Sequence, residues 1–390
     1  MIEYKVETIN DLCIKITDGS HFSPEHEETG EYQMYSVKDM DYNGFLNSDC
    51  KMIGKEMFLK LAKSDCRPLK NDILIAKDGS YLKCAFKVKE DLNACILSSI
   101  AILRPNIKNI DPDYFVYLMR SKTIKSAMAN YVSGSALPRI ILSDFKKMKL
   151  KMISNVEIQT KISTILSRYD EAIENNNKRI KLLEQMAQNL YKEWFVRFRF
   201  PGWENCEFEN GIPKGWHQGK FSELFEFKRG KNITADEMIE GQVPVISAGI
   251  SPSGYHIEAN VKGTSLTISS SGANAGYLSI HYEDIWAADC MFITEENTKN
   301  IYYLYELLNN IRPVILNQQR GAAQPHVYSK DINNLRLWIP NEDLREKANK
   351  LLEPIHKEIY QLQQTNQNLA KQRDLLLPRL MSGKLEVEEI

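Results

Sequence analysis

A stripe of mostly apolar residues occurs twice in this chain, 186 residues apart, and strongly limits how the chain can fold. The first copy consists of Ile158, Ile162, Ile165, Tyr169, Ile173, Asn176, Ile180, Leu183, Ala187, Leu190 and Trp194. The second consists of Leu344, Ala348, Leu351, Ile355, Ile359, Leu362, Asn366, Leu369, Arg373, Leu376 and Leu380. Steps of three and four residues place each set on one face of a long helix, and the same stutter interrupts both. We therefore predict a duplicated chain with one long helix in each half.

The composition narrows the class of protein further. No apolar run approaches the roughly 20 residues that span a bilayer, and the first residues lack the apolar core of a signal peptide, so a cytoplasmic protein is expected. The seven cysteines are scattered without a CxxC pair, which predicts neither a disulfide framework nor a zinc site. A net charge of −1 means that any DNA binding must rest on local patches or on partner subunits.

Residues 1–155 have the pattern of a mixed α/β domain. Short β-branched runs predict strands at 72–76, 84–88 and 100–103. An aspartate cap followed by Pro112 predicts a helix from 114 to about 131, and the basic segment 146–151 predicts another strand. The long helix then occupies 156–200, where Pro201 and Gly202 oppose its continuation.

The same order recurs in residues 201–341, the second predicted domain. Leu266-Thr267-Ile268 aligns with Leu74-Ile75-Ala76, and a helix is predicted over 302–310. The turn at 321–325 matches the turn at 134–138 at an offset of 187. The second long helix and a tail fill 342–390, and Pro354 predicts a kink or break near Leu352. The organisation is domain–helix–domain–helix.

Three arrangements of the long helices are open: core helices of one domain, a homodimerising coiled coil, or an intramolecular antiparallel pair. Duplication favours the last, which gives two globular α/β domains joined by two antiparallel helices in a pseudo-two-fold arrangement. Apolar side chains outside the stripe are candidates for binding a partner's helices, unless the chain's own domains cover them. They are Leu182, Met186, Phe195, Leu352, Leu375 and Leu377.

The sequence lacks a convincing catalytic constellation. Asp111-Pro112-Asp113-Tyr114 is similar to the DPPY motif of amino-methyltransferases, but its third residue differs and no glycine-rich cofactor loop accompanies it. Phosphate-loop, zinc-protease and Ser/His/Asp patterns are also missing. We therefore predict a non-catalytic chain with no metal site. Two alternatives stay open: a self-contained DNA-modifying enzyme with a degenerate site at 111–114, and a coiled-coil scaffold that binds no DNA.

Polar and aromatic residues beside glycines in the repeated loops are the candidates for DNA contact, because glycine lets the backbone approach a groove. In the first half they are Lys77, Ser80, Tyr81, Ser135 and Arg139. In the second half they are Ser270, Ser271, Asn274, Tyr277, Gln319, Arg320 and His326. Lys228, Arg229 and Lys231 form a basic turn suited to phosphate contact.

Taken together, the chain resembles the specificity (S) subunit of a type I restriction-modification system. The resemblance rests on the turns at 134–138 and 321–325, each followed by a strand and a long helix, on Ile212-Pro213-Lys214-Gly215-Trp216, and on Leu380-Met381-Ser382-Gly383-Lys384. It implies two target recognition domains, each reading one half of a bipartite, gapped DNA site. It also implies helices that set the spacing and bind methyltransferase subunits, two by expectation. Restriction subunits would join them, and S-adenosylmethionine, ATP and Mg²⁺ would act on those partners, with no cofactor in this chain.

Overall fold

The computed structural model describes residues 2–46, 50–78, 84–131, 139–321, 324–385 and 387. The chain divides into two compact units, each with a mixed α/β body and part of both long helices. Unit 1 is Met1–Glu174 with Gln367–Ile390, and unit 2 is Asn175–Asn366. The division into two units therefore falls within the long helices, whereas the predicted boundaries at 155/156, 200/201 and 341/342 follow the alternation of body and helix along the chain.

The body of unit 1 contains nine strands and five short helices among its described residues. The strands are β1 (Tyr4–Thr8), β2 (Cys13–Asp18), β3 (Tyr32–Tyr35), β4 (Lys51–Ile53), β5 (Ile73–Ala76), β6 (Ala85–Lys87), β7 (Ala94–Ile96), β8 (Ile100–Pro105) and β9 (Lys149–Ile153). The helices are α1 (Ile9–Leu12), α2 (Lys55–Lys63), α3 (Pro112–Arg120), α4 (Lys122–Ala129) and α5 (Leu142–Lys147). The long helix α6 (Val156–Tyr191) begins in this unit.

These strands form three sheets. An antiparallel sheet has the order β2-β8-β5-β6, a mixed sheet has the order β4-β3-β7, and β1 pairs with β9. All four residues of β5 are buried, because Ile73 and Ile75 pack against the core that includes α3 while Leu74 and Ala76 pack into a second cluster with Phe86. Burial on both faces explains why β5 is a continuous apolar run with no alternation.

Two sequence predictions for unit 1 were wrong in detail. The helix predicted over 114–131 is two helices, because the Ser121 side chain accepts a hydrogen bond from the Ile124 amide and caps α4. Asp111 caps α3 in the same way, through the Tyr114 amide at 2.8 Å. The strand predicted over 146–151 is the end of α5 followed by β9.

The body of unit 2 repeats the same plan. Its strands are β10 (Phe208–Glu209), β11 (Ile212–Pro213), β12 (His217–Lys220), β13 (Lys228–Arg229), β14 (Val243–Ile246), β15 (Gly254–His256), β16 (Ser265–Ser269), β17 (Leu278–His281), β18 (Trp286–Ala287), β19 (Cys290–Thr294) and β20 (Arg336–Ile339). Its short helices are α7 (Ile301–Asn310), α8 (Arg312–Leu316) and α9 (Ser329–Asn333), and α10 (Glu342–Met381) follows.

Three sheets of unit 2 match the three sheets of unit 1 strand for strand, and the hairpin β10-β11 has no counterpart among the described residues of unit 1. The order β13-β19-β16-β17 corresponds to β2-β8-β5-β6, β15-β14-β18 corresponds to β4-β3-β7, and β12-β20 corresponds to β1-β9. Parallel and antiparallel pairings agree as well, since β3 with β7 and β14 with β18 are the parallel pairs in the described part of the chain. The duplication predicted from the helices therefore extends to the bodies.

The strand pairing also corrects the alignment of the two halves. Ala76 faces Ile100 and Ser269 faces Cys290 at the same place in the two sheets. The residues that follow, Lys77 and Ser270, are therefore equivalent, whereas the sequence alignment had placed Ser269 opposite Lys77. The error arose because short apolar runs carry no register of their own.

Each unit contains an antiparallel pair of long-helix segments. In unit 2, Asn176 donates to Asn366 at 2.8 Å and Arg179 donates to Glu358 at 2.8 Å, so rising numbers on α6 meet falling numbers on α10. In unit 1, Ile162 and Leu166 of α6 share a core with Leu380 of α10. The intramolecular arrangement among the three considered is therefore the one observed.

Of the kink or break expected near Leu352, the break is absent, and one residue of the stripe was assigned to the wrong position. The helix continues unbroken through Pro354, because a proline removes one backbone hydrogen bond while the neighbouring Leu352 and Ile359 remain packed. Leu351 was assigned to the buried stripe, yet it is 49% exposed, and Leu352 is the buried residue. The equivalent Leu166 is buried in the first copy, so both helices shift by one residue at the stutter.

Candidate nucleic-acid interface and helix faces

In unit 2 the predicted DNA-contact residues gather at one end of the four-stranded sheet. Because neighbouring strands are antiparallel, the last residues of β13 and β16 lie beside the first residues of β19 and β17. The loops that follow β13 and β16 meet the segments 317–321 and 324–328 at this end, which we call the loop end. Its position explains why residues far apart in the sequence come together.

Ser270 and Ser271 form the centre of the loop end. The Ser270 carbonyl accepts from the Val327 amide at 3.0 Å, and the Ser270 amide donates to the Asp289 carbonyl at 3.3 Å. Ser271 is buried and its hydroxyl bonds to the Asp289 carboxylate. These serines therefore fix the loops to one another, and Ser271 is turned away from solvent.

Asn274, Tyr277 and Gln319 lie around a short 3₁₀ turn at 272–274. The Tyr277 amide donates to the Asn274 carbonyl at 2.9 Å, and the guanidinium of Arg312 lies 5.6 Å from the centre of the Tyr277 ring. The exposed Gln319 donates through Nε2 to the Ala275 carbonyl at 2.8 Å. Gln319 is thus anchored through its amide nitrogen, and its amide oxygen keeps the capacity to accept a further hydrogen bond.

Arg320 and His326 pair across a tight turn. Their backbone groups exchange hydrogen bonds of 2.9 and 2.8 Å, and Gly321 between them has φ +94°, a conformation that favours glycine. The Arg320 guanidinium is 66% exposed and donates to Asp331 at 2.6 Å, while the His326 ring stacks on Tyr328. The turn presents a guanidinium and an imidazole side by side.

The basic turn after β13 lies one strand away. Lys228, Arg229 and Lys231 are all exposed, and the intervening Gly230 donates its amide to the Cys290 carbonyl at 2.8 Å. A side chain at Gly230 would meet the Ala288 carbonyl oxygen at 2.3 Å, so glycine is required for this close approach. The turn adds three cations to the edge of the loop end.

In unit 1, Lys77 and Arg139 occupy the positions equivalent to Ser270 and His326. The Lys77 amide donates to Ser99 at 3.0 Å, and its carbonyl accepts from Ile140 at 2.9 Å, matching the Ser270 pattern. The Lys77 side chain is 2% exposed and pairs with Asp18 at 2.5 Å, so it cannot reach DNA as we had expected. Arg139 is exposed and pairs with Asp78 at 3.2 Å.

Three predicted residues of the first half, Ser80, Tyr81 and Ser135, lie outside the described residues. Sequence reasoning also missed several residues that shape these surfaces, namely Asp18, Asp78, Asp289, Asp331 and Tyr328. The four carboxylates gave no signal, because each meets its partner through the tertiary fold and not through a recognisable spacing in the sequence. Tyr328 stands two residues after His326, and its alternation with that residue on an extended segment was a usable signal.

The six apolar residues proposed for partner binding fall into two groups. Leu182, Met186 and Leu375 are exposed, at 64%, 50% and 62%. Phe195 and Leu352 are buried in the core of unit 2, and Leu377 packs half-buried against the core of unit 1. The expectation that Phe195 and Leu352 face outward was wrong, because the bodies of the protein cover them.

In unit 1 a buried charged network joins the body to both helix segments. Asp170 of α6 accepts from the Tyr117 hydroxyl at 2.7 Å, from Arg120 at 3.4 Å and from Arg373 of α10. Burial and the Asp170 carboxylate raise the pKa of Tyr117, so this phenol remains a donor. The guanidinium carbons of Arg120 and Arg373 lie 3.7 and 4.7 Å from the centre of the Tyr42 ring. The network fixes the body's orientation on its helices.

The motif that imitates a methyltransferase site has a structural role. Asp111 caps α3 and also accepts from Ser163 of α6 at 2.9 Å, while the Tyr114 hydroxyl is buried and accepts from the Ile153 amide. Among the described residues, no group of three or more His, Cys, Asp or Glu is placed to hold a metal ion. No helix in the same residues combines the length and apolar character needed to cross a membrane.

Known proteins resemble this chain over most of its length. A family model described as the type I restriction modification DNA specificity domain matches residues 1–185 and 213–371. The MjaIX type I restriction enzyme specificity subunit of Methanocaldococcus jannaschii is 27% identical over 71% of this chain and 70% of its own. A putative type I specificity subunit of Mycoplasma genitalium is 25% identical over 81% of this chain and 82% of its own.

A solved structure shows the same fold. The crystal structure of a type I restriction-modification system S subunit from M. genitalium matches with a TM-score of 0.64 at 20% identity, covering 97% of this chain and 96% of that one. The chain belongs to the family of type I restriction modification DNA specificity domains. It is a non-catalytic specificity subunit, and its part in the complex is recognition of the DNA target.

Proposed function

We propose that each body reads one half of a bipartite, gapped DNA target and that the long helices set the spacing between the halves. The observation that carries this proposal is the repetition of three sheets in the two bodies, with Lys77 and Arg139 in unit 1 at the positions of Ser270 and His326 in unit 2. Two similar readers on one chain suit two half-sites, as in dimeric DNA-binding proteins. On this view residues 1–155 and 201–341 are separable target recognition domains.

The loop end of unit 2 offers the chemistry for base readout. Gln319 and Asn274 carry the amide groups that pair with adenine, and Arg320 carries the fork that pairs with guanine. His326 and Tyr277 add hydrogen-bonding and stacking capacity beside them. Lys228, Arg229 and Lys231 are placed to contact phosphates and fix the register of the body on the duplex.

In the body of unit 1, Arg139 would contact the DNA. Ser80, Tyr81 and Ser135 remain candidates by position in the sequence. Lys77 acts differently in this proposal: its buried pair with Asp18 holds the start of the loop in place, and the neighbouring residues make the contacts.

The helix faces supply the assembly function. Leu182, Met186 and Leu375 are exposed apolar residues of the kind that pack against a partner's helices, and we assign them to the methyltransferase subunits. Two such subunits, and restriction subunits that join them, would bring S-adenosylmethionine, ATP and Mg²⁺ to the complex. The assembly would work in the cytoplasm. Because the chain has a net charge of −1, strong DNA binding is expected only with these partners.

The test is methylation mapping with the reconstituted complex of this chain and its methyltransferase partner. Methylation should appear at a two-part sequence with a fixed gap, and exchange of residues 1–155 for another recognition domain should change one half of it. Ungapped sites, or a change in both halves, would contradict the proposal. A gel shift of the same complex at two salt concentrations separates a DNA reader from a scaffold that binds no DNA.

A further inference from the structure

The internal repeat permits a residue-by-residue comparison of how the two bodies are charged where they meet the long helices. α3 and α7 start at the caps Asp111 and Asn300, and counting from those caps makes Tyr117 equivalent to Glu306 and Arg120 equivalent to Asn309. The helix offset of 186 makes Asp170 equivalent to His356 and Arg373 equivalent to Ala187. The acidic group of this junction therefore lies on a long helix in unit 1, as Asp170 of α6, and on the body in unit 2, as Glu306 of α7.

In unit 1 the acidic group has cationic partners. Asp170 contacts both Arg120 and Arg373, and the ring of Tyr42 lies against the two guanidinium groups. One of these cations comes from the body and the other from α10. Both cations that pair with Asp170 therefore come from unit 1 itself.

In unit 2 the acidic group is only half paired. Glu306 is 2% exposed, and its Oε1 lies 3.0 Å from Nε2 of His356. Its Oε2 is buried and has no hydrogen-bond partner among the described residues. At the positions of the two arginines stand Asn309 and Ala187, neither of which carries charge.

A cavity of about 160 Å³ lies beside Asn309, the residue equivalent to Arg120. Glu306 lines it, and the other lining residues are Gln188, Tyr191, Lys192, Asn309, Asn310 and Pro313. Three of these carry amide oxygens that can accept hydrogen bonds. Partial burial and the charge of Glu306 raise the pKa of the nearby Glu184, which is the behaviour of a carboxyl in a negative field.

We propose that this cavity receives the guanidinium group of one arginine side chain from a protein partner, which pairs with Glu306 Oε2 as Arg120 and Arg373 pair with Asp170. A buried carboxylate oxygen without a partner is unfavourable, and a planar fork of N–H donors can serve both Glu306 and the amide oxygens around it. The inference rests on the proposed assembly role and names the contact that one partner makes.

Lys192 is the alternative occupant, because it lines the cavity from the π-helical turn that directly follows α6. Its pairing with Glu306 is tested by Lys192→Met. If this variant lowers Tm in the wild-type background and has no effect in Glu306→Gln, Lys192 is the partner and the proposal is overturned. An equal, small effect in both backgrounds supports it.

The first experiment places a guanidinium in the cavity within the chain. Asn309→Arg introduces an arginine at the position of Arg120, and its melting temperature should rise by about 2–4 °C. The gain should vanish in the double variant Asn309→Arg/Glu306→Gln. Asn317→Arg, an exposed site outside the cavity lining, is the matched control for added charge and should not depend on Glu306. No dependence of the Asn309→Arg effect on Glu306 would overturn the proposal.

The second experiment measures binding of the full chain to its methyltransferase partner. Glu306→Gln and Asn309→Arg should each raise Kd by about tenfold, the first by removing the carboxylate and the second by filling the cavity. Unchanged affinity in both variants, with normal binding by the wild type, would overturn this inference and leave the proposed function intact. Failure of the wild type to bind would remove the proposed function as well. A melting-temperature gain with K⁺ over choline, seen in the wild type and lost in Glu306→Gln, would assign a free cation and overturn the proposal.

Discussion

Asn176 and Asn366 join the two long helices within unit 2 through a side-chain hydrogen bond of 2.8 Å, and Asn366 donates in turn to Asn177 at 2.9 Å. Asn176 is 9% exposed and lies in the otherwise apolar stripe. A buried polar pair of this kind specifies which residues of two helices face each other, because any other register leaves an amide unpaired.

Asn366→Leu should therefore destabilise the protein by about 1–3 kcal/mol, since it leaves the buried Asn176 amide without its partner. The double variant Asn176→Leu/Asn366→Leu should recover most of this loss, because both polar groups are then replaced. Urea unfolding at constant m-value measures both effects, with Asn175→Ala as an exposed control on the same helix. A single variant as stable as the wild type would show that the pair does not determine stability.

Lys77→Met should destabilise unit 1 by about 3 kcal/mol, because the largely buried Asp18 carboxylate loses its ammonium partner. Lys77→Met/Asp18→Asn should be closer to the wild type. The measurement is the urea midpoint of each variant. If stability is unchanged while the salt dependence of DNA binding falls, Lys77 contacts phosphate after all.

Arg320→Ala should weaken methylation of the preferred target by about 1–3 kcal/mol in free energy and relax base preference at a position in one half-site. The guanidinium is exposed and pairs with the largely buried Asp331, so the stability of the variant is measured alongside its specificity. Methylation mapping of the variant complex measures the change, with Lys330→Ala as an exposed control on α9. Relaxation in both half-sites would conflict with the assignment of one body to one half.

Lys228→Ala should have a different signature. A phosphate contact carries no base information, so binding should weaken equally on all sequences and the salt slope should decrease by about 1. DNA affinity of the reconstituted complex across a range of salt concentrations provides the measurement. Altered sequence preference at unchanged salt slope would instead place Lys228 on a base edge.

The stability of unit 2 should fall in mild acid because of His281. Its Nε2 lies 2.8 Å from the Thr267 hydroxyl, and burial lowers the pKa of His281 from 6.5 to about 4. Between these two pH values the unfolded chain binds a proton that the folded chain does not. Above pH 6.5 the histidine is neutral in both states and does not reduce the free energy of unfolding. As the pH falls from 6.5 toward 4, the free energy of unfolding decreases by about 3 kcal/mol.

Urea unfolding at several pH values tests this, with His281→Gln as the comparison. Carboxyl groups titrate in both proteins, so the difference between the two curves isolates the histidine. Parallel curves from pH 7 to pH 4 would show that His281 is protonated in the folded protein.

Much of the architecture could be read from the chain. The stripe of 3–4 spacing identified both helices, because helical periodicity is a local property that each segment carries by itself. The Asp111 cap and the helix after Asn300 were found for the same reason. The strands β5, β6, β8 and β16 were found as apolar runs, whereas most of the other strands were not predicted. The alignment of β16 with β5 was wrong by one residue, since register depends on the partner strand.

The candidate site was also predicted only in part. Its residue types and loops were predicted from sequence, and Arg320, His326 and Gln319 do meet at the loop end of unit 2. The prediction for Lys77 was wrong because its partner Asp18 lies on a strand distant in sequence. Phe195 and Leu352 were misplaced because the bodies that cover them approach only after folding.

By itself the sequence determined that this protein is a duplication of a body and a long helix, because periodicity, caps and repeats are carried by neighbouring residues. The tertiary structure alone decided which of its polar groups are exposed and which are paired. The same junction holds two arginines against Asp170 in one copy and leaves an oxygen of Glu306 beside a cavity in the other. That difference depends on side chains brought together across sheets and helices, where spacing along the chain carries no information.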